Sequence, residues 1–519
     1  MIFASIGHCL RLMRAGYVMA REGVFSKVDP ALAPPSARLP LALARLIARP
    51  DASGLASAMA SLGPSYVKLG QFLATRADII GPEAVLQLEK LQDRMAPFSR
   101  AAAVAQIERS FGKKLDELFS DFSEPVAAAS VAQVHRARVV DAGGARDVAV
   151  KVIRPGVERR FRRDLADMYF AARLAQRFSG EAERLKPVEV VDVLARSVRI
   201  EMDFRLEAAA ASEFADNNKG DAFFRVPAID WDRTAKDVLT LEWIDGAPLS
   251  DRAALEASGQ DLPQLGRRVI EAFLQHAVRD GFFHADMHQG NLFLDRAGRL
   301  AAVDFGIMGR LGLKERRFLA EILFGFITRD YARVARVHFD AGYVPRTHSV
   351  EDFAQAIRAV GEPIHARTAD QISMARVLTL LFEITGLFDM KTRTELVMLQ
   401  KTMVVVEGVA RALDPKLNIW AAAEPVIGDW IKGNLGPMGK LQDAARGLGA
   451  LADAALKLPE TVARAEAITE RLEASARDGF TLSPASVEAI GKAEARRARW
   501  GNVALWVIAA AAVWALWRG

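Results

Sequence analysis

"HADMHQGNLFLDRAGRLAAVDFG", residues 284–306, sets an aspartate, an asparagine and a second aspartate around two short apolar runs. Asn291 follows Asp286 by five positions, and "NLFL" and "RLAAV" flank a turn, "DRAG", that ends at Gly298. That pattern predicts a hairpin whose second strand delivers Asp304 beside the first. Three polar side chains thereby return to one place. Phosphoryl transfer asks little covalent chemistry of a protein. It needs Mg²⁺ held against the phosphates and a carboxylate aimed at the acceptor hydroxyl or at water. Asn291 and Asp304, hard oxygen donors, suit the metal, and Asp286 suits the base or positioning role. His284 and His288 stand at the i, i+4 spacing by which a helix offers two zinc ligands, but "HQGN" is poor helix sequence. A polar turn capping a core hairpin is the bland alternative.

A loop of this kind makes a demand upstream: a strand-borne lysine for the α- and β-phosphates, preceded by a loop that approaches phosphate closely. In "DVAVKVI" (147–153) Val148, Val150 and Val152 share one strand face, and Lys151 lies on the other with Ala149 and Ile153. The preceding loop carries Ala127, Ala128, Ala129, Ser130 and Val131 where glycines would let backbone N–H groups close over phosphate. Alanine still permits close approach but lacks the freedom to adopt positive φ, so the expected loop is stiffer and its phosphate pose different. The strand "VLTLEWI" (238–244), broken by "DGAP", reads as the hinge between two lobes, with backbone of Glu242 and Ile244 meeting adenine.

The chain of 519 residues, 51% of them hydrophobic, is long enough for two or three packed units. Its single cysteine, Cys9, excludes a disulfide framework and any Cys-based metal site within one chain, which fits a reducing, cytosol-facing setting. Lys and Arg exceed Asp and Glu by five but are spread among acidic residues, which argues against nucleic acid as a partner. Helical patterns fill the N-terminal third after a proline-rich linker from Pro30 to Pro40. Short β-type runs follow from Pro125, interrupted by a long helical insertion over about 156–220. Beyond residue 312 everything reads as helix, with "GNLGPMG" (433–439) as a joint.

This order predicts an α+β, two-lobed protein-kinase-like fold: an amphipathic helix within 1–29, a helical extension over 41–119, an N-lobe over 120–245, a C-lobe over 246–435 and a helical tail over 436–500. The end is distinct. "NVALWVIAAAAVWALW" (502–517) is uncharged, has tryptophans near both ends and follows "KAEARRARW". As a helix it rises roughly 24 Å, slightly short of a hydrocarbon core, and is read as a transmembrane helix for a thin or pinched bilayer. A buried or self-pairing helix is the alternative. The positive charge before it places the body of the protein on the cytoplasmic side of the inner membrane.

Six segments occur in the order seen in the UbiB family of atypical kinase-like proteins, which this chain resembles: "YVKLGQFLATRADIIGPEAVLQLEKLQDRMAPF", "AAASVAQVH", "VAVKVIRPG", "EMDFRLEAAAASEF", "HADMHQGN" and "DFG". The resemblance, over roughly residues 5–435, implies ATP and Mg²⁺ as cofactors and a role in ubiquinone biosynthesis. It implies polyprenyl or quinone lipid intermediates and the membrane as partners, with other ubiquinone biosynthesis proteins and a homodimer as further options. It further implies that Lys151 contacts the nucleotide phosphates, that Asp286 is the proton acceptor, and that Asn291 and Asp304 bind metal. Lys68 and Gln71 belong to the family's Lys-x-Gly-Gln motif, and Glu201 and Asp203 to its Glu-x-Asp motif, in a long helix that includes the partner of Lys151; Glu201 is the expected partner. The implied activity is an atypical kinase or ATPase. A nucleotide-gated lipid-binding or scaffold protein is the alternative, favoured by the alanine loop.

Overall fold

The computed structural model describes residues 2–26, 35–49, 54–74, 82–88, 95–178, 186–365, 383–390 and 394–435, together with 80, 91 and 380. Met1–Lys432 is one compact unit, and Gly433 opens a second, at the joint seen in the sequence. The helical tail over 436–500 and the apolar segment 502–517 lie outside the described residues. Among the described residues no helix is long and apolar enough to cross a membrane.

Four antiparallel strands form the first lobe: β1 (Asp121–Ala128), β2 (Ala132–Asp141), β3 (Gly144–Ile153) and, after a two-residue strand β4 (Phe224–Arg225) that belongs elsewhere, β5 (Val238–Glu242). The register sets Lys151 opposite Val134 on one side and Leu239 on the other. Both faces of β3 are covered, by different parts of the chain. The valine face, with Val150 and Val152 fully buried, packs on Ala103 and Ile107 of the helix Arg100–Phe111 in the helical extension. The other face meets the insertion, where Ile153 and Leu239 cluster with Phe161, Val191, Phe204 and Ala208.

Among the described residues the insertion contains three helices: Val157–Phe178, Pro187–Glu201 and Phe204–Asn217. We label the helices used below α1 (Ile2–Arg21), α2 (Pro35–Ile47), α3 (Leu55–Leu62), α4 (Pro64–Leu73), α5 (Arg100–Phe111), α6 (Val157–Phe178), α7 (Pro187–Glu201), α8 (Phe204–Asn217), α9 (Leu262–Leu274) and α10 (Thr394–Leu413). The proline-rich stretch read as a linker is helical from Pro35 onward. Proline suits a first helical turn, where its missing N–H would have no intrahelical partner.

In the second lobe α9 runs into a π-helical stretch, Gln275–Asp280, and then β7 (Phe282–His284). The predicted hairpin is present as β8 (Leu292–Asp295) and β9 (Leu300–Ala302), with Leu292 opposite Ala302. Its turn closes because Asp295 Oδ1 accepts from Ala297 and Arg299 N–H, and Gly298 sits at φ 77°, the left-handed region that glycine tolerates best. "DGAP" does more than break a strand: Gly246–Pro248 is β6, paired with β8, and a Cβ on Gly246 would lie 2.2 Å from the Leu294 carbonyl oxygen. The core of this lobe joins α9 and α10 with Phe214 from α8, Phe282, Phe283 and Leu292.

Buried at the seam of that core is His276, whose Nε2 lies 2.7 Å from Asn218 Oδ1 between the rings of Phe214 and Phe224. Burial pushes its imidazole down to about 3, with Arg279 and His284 acting the same way. An unfolded chain takes up this proton near the ordinary 6.5, so between those values the unfolded state binds more protons and stability rises with pH. In urea unfolding followed from pH 6.5 to pH 3, His276→Gln should reduce the slope of unfolding free energy by close to one proton, about 1.4 kcal/mol per pH unit. An unchanged slope would show that this imidazole does not titrate on unfolding.

Candidate active site

Lys151 projects from β3 toward α8, where its Nζ lies 2.9 and 3.0 Å from the two carboxylate oxygens of Glu207 and 5.4 Å from the Phe204 ring centroid. A third contact, 3.2 Å to Asp304 Oδ1, spans the two lobes. Burial opposes the charge on Lys151, but the two carboxylates outweigh it and raise its pKa. Asp304 is half exposed, and Lys151 pulls its carboxyl well below the usual range. Glu207 carries the cost of two carboxylates sharing one ammonium: burial and the Asp304 charge push it up to about 7, against the pull of Lys151.

Glu201 was the expected partner, and the structure corrects that expectation. The segment is not one long helix. α7 ends at Glu201, Met202 is buried, and Asp203 caps α8 by accepting from the Arg205 N–H while Arg205 grips it from the side. The restart turns Glu207, one turn into α8, toward β3. Glu201 pairs instead with Lys68 of α4, so the Lys-x-Gly-Gln helix is tied to the end of α7. Gln71, half-buried three residues on, makes no hydrogen bond among the described residues.

On the opposite side, Asp304 stands two residues beyond β9 at φ 67°, a strained conformation for a residue with a side chain, and its Oδ1 accepts from the Gly306 N–H. Asn291 is drawn to Asp286: its Nδ2 donates to the Asp286 carbonyl at 3.0 Å and approaches Oδ2 at 3.4 Å. The Asp286 side chain is 39% exposed, open to a substrate. Buried His284 braces the loop, its Nδ1 accepting from the Asp286 N–H at 3.1 Å, and burial lowers its pKa despite the nearby carboxylates. His288 Nδ1 accepts from Gly290, and its Nε2 lies 3.8 Å from Asp286 Oδ2. Both Nδ1 atoms are thus engaged within the loop.

The donor set fits Mg²⁺. Among the described residues no three His, Cys, Asp or Glu are grouped to cage an ion, but an ionised Asp304 and the Asn291 amide oxygen offer the one or two protein oxygens that Mg²⁺ takes while keeping waters and phosphate oxygens.

The alanine loop is a tight turn between β1, which includes Ala127 and Ala128, and β2. Ala129 N–H donates to the Ala132 carbonyl at 2.8 Å, and neither Ala129, Ser130 nor Val131 needs positive φ. Ser130 and Val131 are buried; the Val131 side chain packs in the core beside Ile153 and Phe161, and its carbonyl accepts from the Arg154 N–H at 2.7 Å. Arg154, at the end of β3, donates to the carbonyls of Ala96 and Ala129 and sits over Phe98, while Gln133 bonds both the N–H and the carbonyl of Phe98. The extension is therefore strapped to the loop. At the hinge, Glu242 N–H is engaged with the Ala228 carbonyl and Trp243 N–H with the Asp147 carbonyl. Ile244 turns its side chain into the protein.

Two residues that the sequence reading missed complete the site. Glu207 left a signal: a carboxylate within the apolar face of Phe204, Ala208, Ala211 and Phe214 demands a buried cation. Thr402 on α10, whose hydroxyl lies 3.0 Å from the Ala285 carbonyl next to Asp286, left none, because 117 residues separate the two.

A strand lysine held by a helix carboxylate, facing a loop Asp and a metal-fit pair across a hinge, defines an atypical kinase-like protein. The ABC1 atypical kinase-like domain matches residues 90–338, and the UbiB helical domain matches 357–418. Two similar relatives, each named "Probable protein kinase UbiB", come from Marinobacter nauticus (40% identical over 410 residues, 78% of this chain and 74% of that one) and Pseudomonas entomophila (40% over 435 residues, 82% and 79%). A solved structure, Rv3197 with erythromycin from Mycobacterium tuberculosis, is 27% identical, covers 69% of this chain and 90% of that one, and aligns with a TM-score of 0.48. The chain belongs to the UbiB family.

Glu207→Gln should weaken binding of a fluorescent ATP analogue and lower turnover by about 100-fold, because Lys151 loses the group that aims it. Glu201→Gln should leave nucleotide affinity within about two-fold, since it frees Lys68 instead. The reverse ranking would restore Glu201 as the functional partner.

Proposed function

We propose that this protein is a membrane-associated ATP-dependent phosphotransferase or ATPase that supports ubiquinone biosynthesis, acting on or beside polyprenyl lipid intermediates. The observation that carries the reading is the contact of Lys151 with both Glu207 and Asp304, opposite the Asp286–Asn291 pair. Lys151 would receive the α- and β-phosphates, Asn291 and Asp304 would hold Mg²⁺, which supplies positive charge against the phosphates, and Asp286 would take the proton of the acceptor hydroxyl or orient water. Family membership supports the kinase-like chemistry and the link to ubiquinone. Purified protein in liposomes checks the assignment: Asp286→Asn should lower ATP turnover by about 10²–10⁴-fold, and turnover at the wild-type rate would sink it.

A second reading, a nucleotide-gated lipid-binding or scaffold protein, draws support from the Lys68–Glu201 tie and the strapped alanine loop, which link the helical extension to the nucleotide site. It wins if Asp286→Asn loses turnover while cells still make ubiquinone.

The reading includes an inner-membrane anchor at 502–517, with the body on the cytoplasmic side. The uncharged, tryptophan-flanked segment and the basic run before it support this. Removing residues 502–519 should release the protein from membrane pellets washed at high salt; unchanged sedimentation would move the anchor elsewhere.

A further inference from the structure

The outer strip of α1 is apolar and uncovered. Ile6, Leu10, Met13 and Tyr17 recur at helical spacing and are each half or more exposed. Adjacent α2, joined to the end of α1 through the Arg49 N–H on the Arg21 carbonyl, adds Leu43 and Leu46, the latter 82% exposed. The inner side of α1 is fixed: Arg11 and His8 bind the buried Asp167 of α6, and the His8 ring stacks on Phe170. The strip is thus held outward by a rigid mount.

Charge points to what covers it. Residues 1–50 contain seven Arg and Lys against two acidic residues, and the whole chain has an excess of only five, so the remainder is balanced. Neither α1 nor α2 contains an acidic residue. Arg14 and Arg21 lie exposed on the same strip as the apolar residues and form no ion pair among the described residues. A second copy seated symmetrically on this face would bring like charges together. An anionic lipid surface meets both features, accepting the apolar strip below the headgroups and attracting the arginines.

We infer that α1 and α2 form an interfacial face that lies on anionic membrane and orients the kinase-like body against it, independently of the C-terminal segment. The inference rests on the membrane-associated reading above, but on different residues. Cys9 is exposed on the same strip and is the only cysteine, so the full-length protein accepts a single environment-sensitive maleimide dye there.

The labelled protein is placed in vesicles of brominated phosphatidylcholine, alone or mixed with phosphatidylglycerol. Emission should shift to the blue and be quenched by bromine in the anionic vesicles. Arg14→Gln combined with Arg21→Gln should raise the phosphatidylglycerol fraction needed for half the change by about two-fold or more. Leu10→Glu with Met13→Glu should abolish the change while leaving ATP turnover in detergent intact; if this pair does not fold, the arginine variant decides. Emission indifferent to vesicles overturns the inference, as does Cys9–Cys9 crosslinking in lipid-free detergent, which would assign the strip to a second copy. Cys9 emission requires neither turnover nor release from pellets, so its failure is distinct from failure of the catalytic or tail assignments.

Discussion

One ammonium held between two carboxylates governs this molecule. Lys151 is on the first lobe, Glu207 on the insertion and Asp304 on the second lobe, so three segments far apart in sequence converge on one charge. Removing Lys151 would leave the buried Glu207 carboxylate without its cation, a costly state, which makes the trio a constraint on how the lobes meet as well as a feature of the site. The trio offers a cation two carboxyls, one of them, Asp304, held ionised by Lys151. An incoming Mg²⁺ and the phosphates would therefore replace contacts already made, with Asp304 changing partner from ammonium to metal.

Much of this was legible in the chain. A period-2 run set Lys151 against the valine face, and a turn signal at Gly298 returned Asp304 to the neighbourhood of Asn291, because strand geometry and turn chemistry are local. What was illegible depended on a break two residues long. Without recognising Asp203 as a cap, Glu201 and Asp203 lie in one helix and the lysine's partner is misassigned. With the cap, α8 restarts and Glu207 comes to the front. The hinge shows the same limit: the sequence located Glu242, but that its N–H is already bonded to Ala228 depends on a bridge no pattern encodes.

The helical extension is built into the core of the first lobe. α5 packs on the valine face through Ala103 and Ile107, and the segment ahead of it is bonded to the alanine loop, with the Met95 N–H on the Ala128 carbonyl. A glycine-rich loop gains its reach from its own freedom. This alanine loop has a fixed shape that neighbours enforce, so its position is coupled to helices that a flexible loop could ignore.

That coupling bears on how the protein can be dissected. A fragment cut at the first strand, near residue 120, would look like a complete two-lobed domain, yet it would present Val148, Val150 and Val152 to water and leave Gln133 and Arg154 without Phe98. The smallest piece that could stand alone must begin before Phe98, and the family domain match, which starts at residue 90, draws the same border.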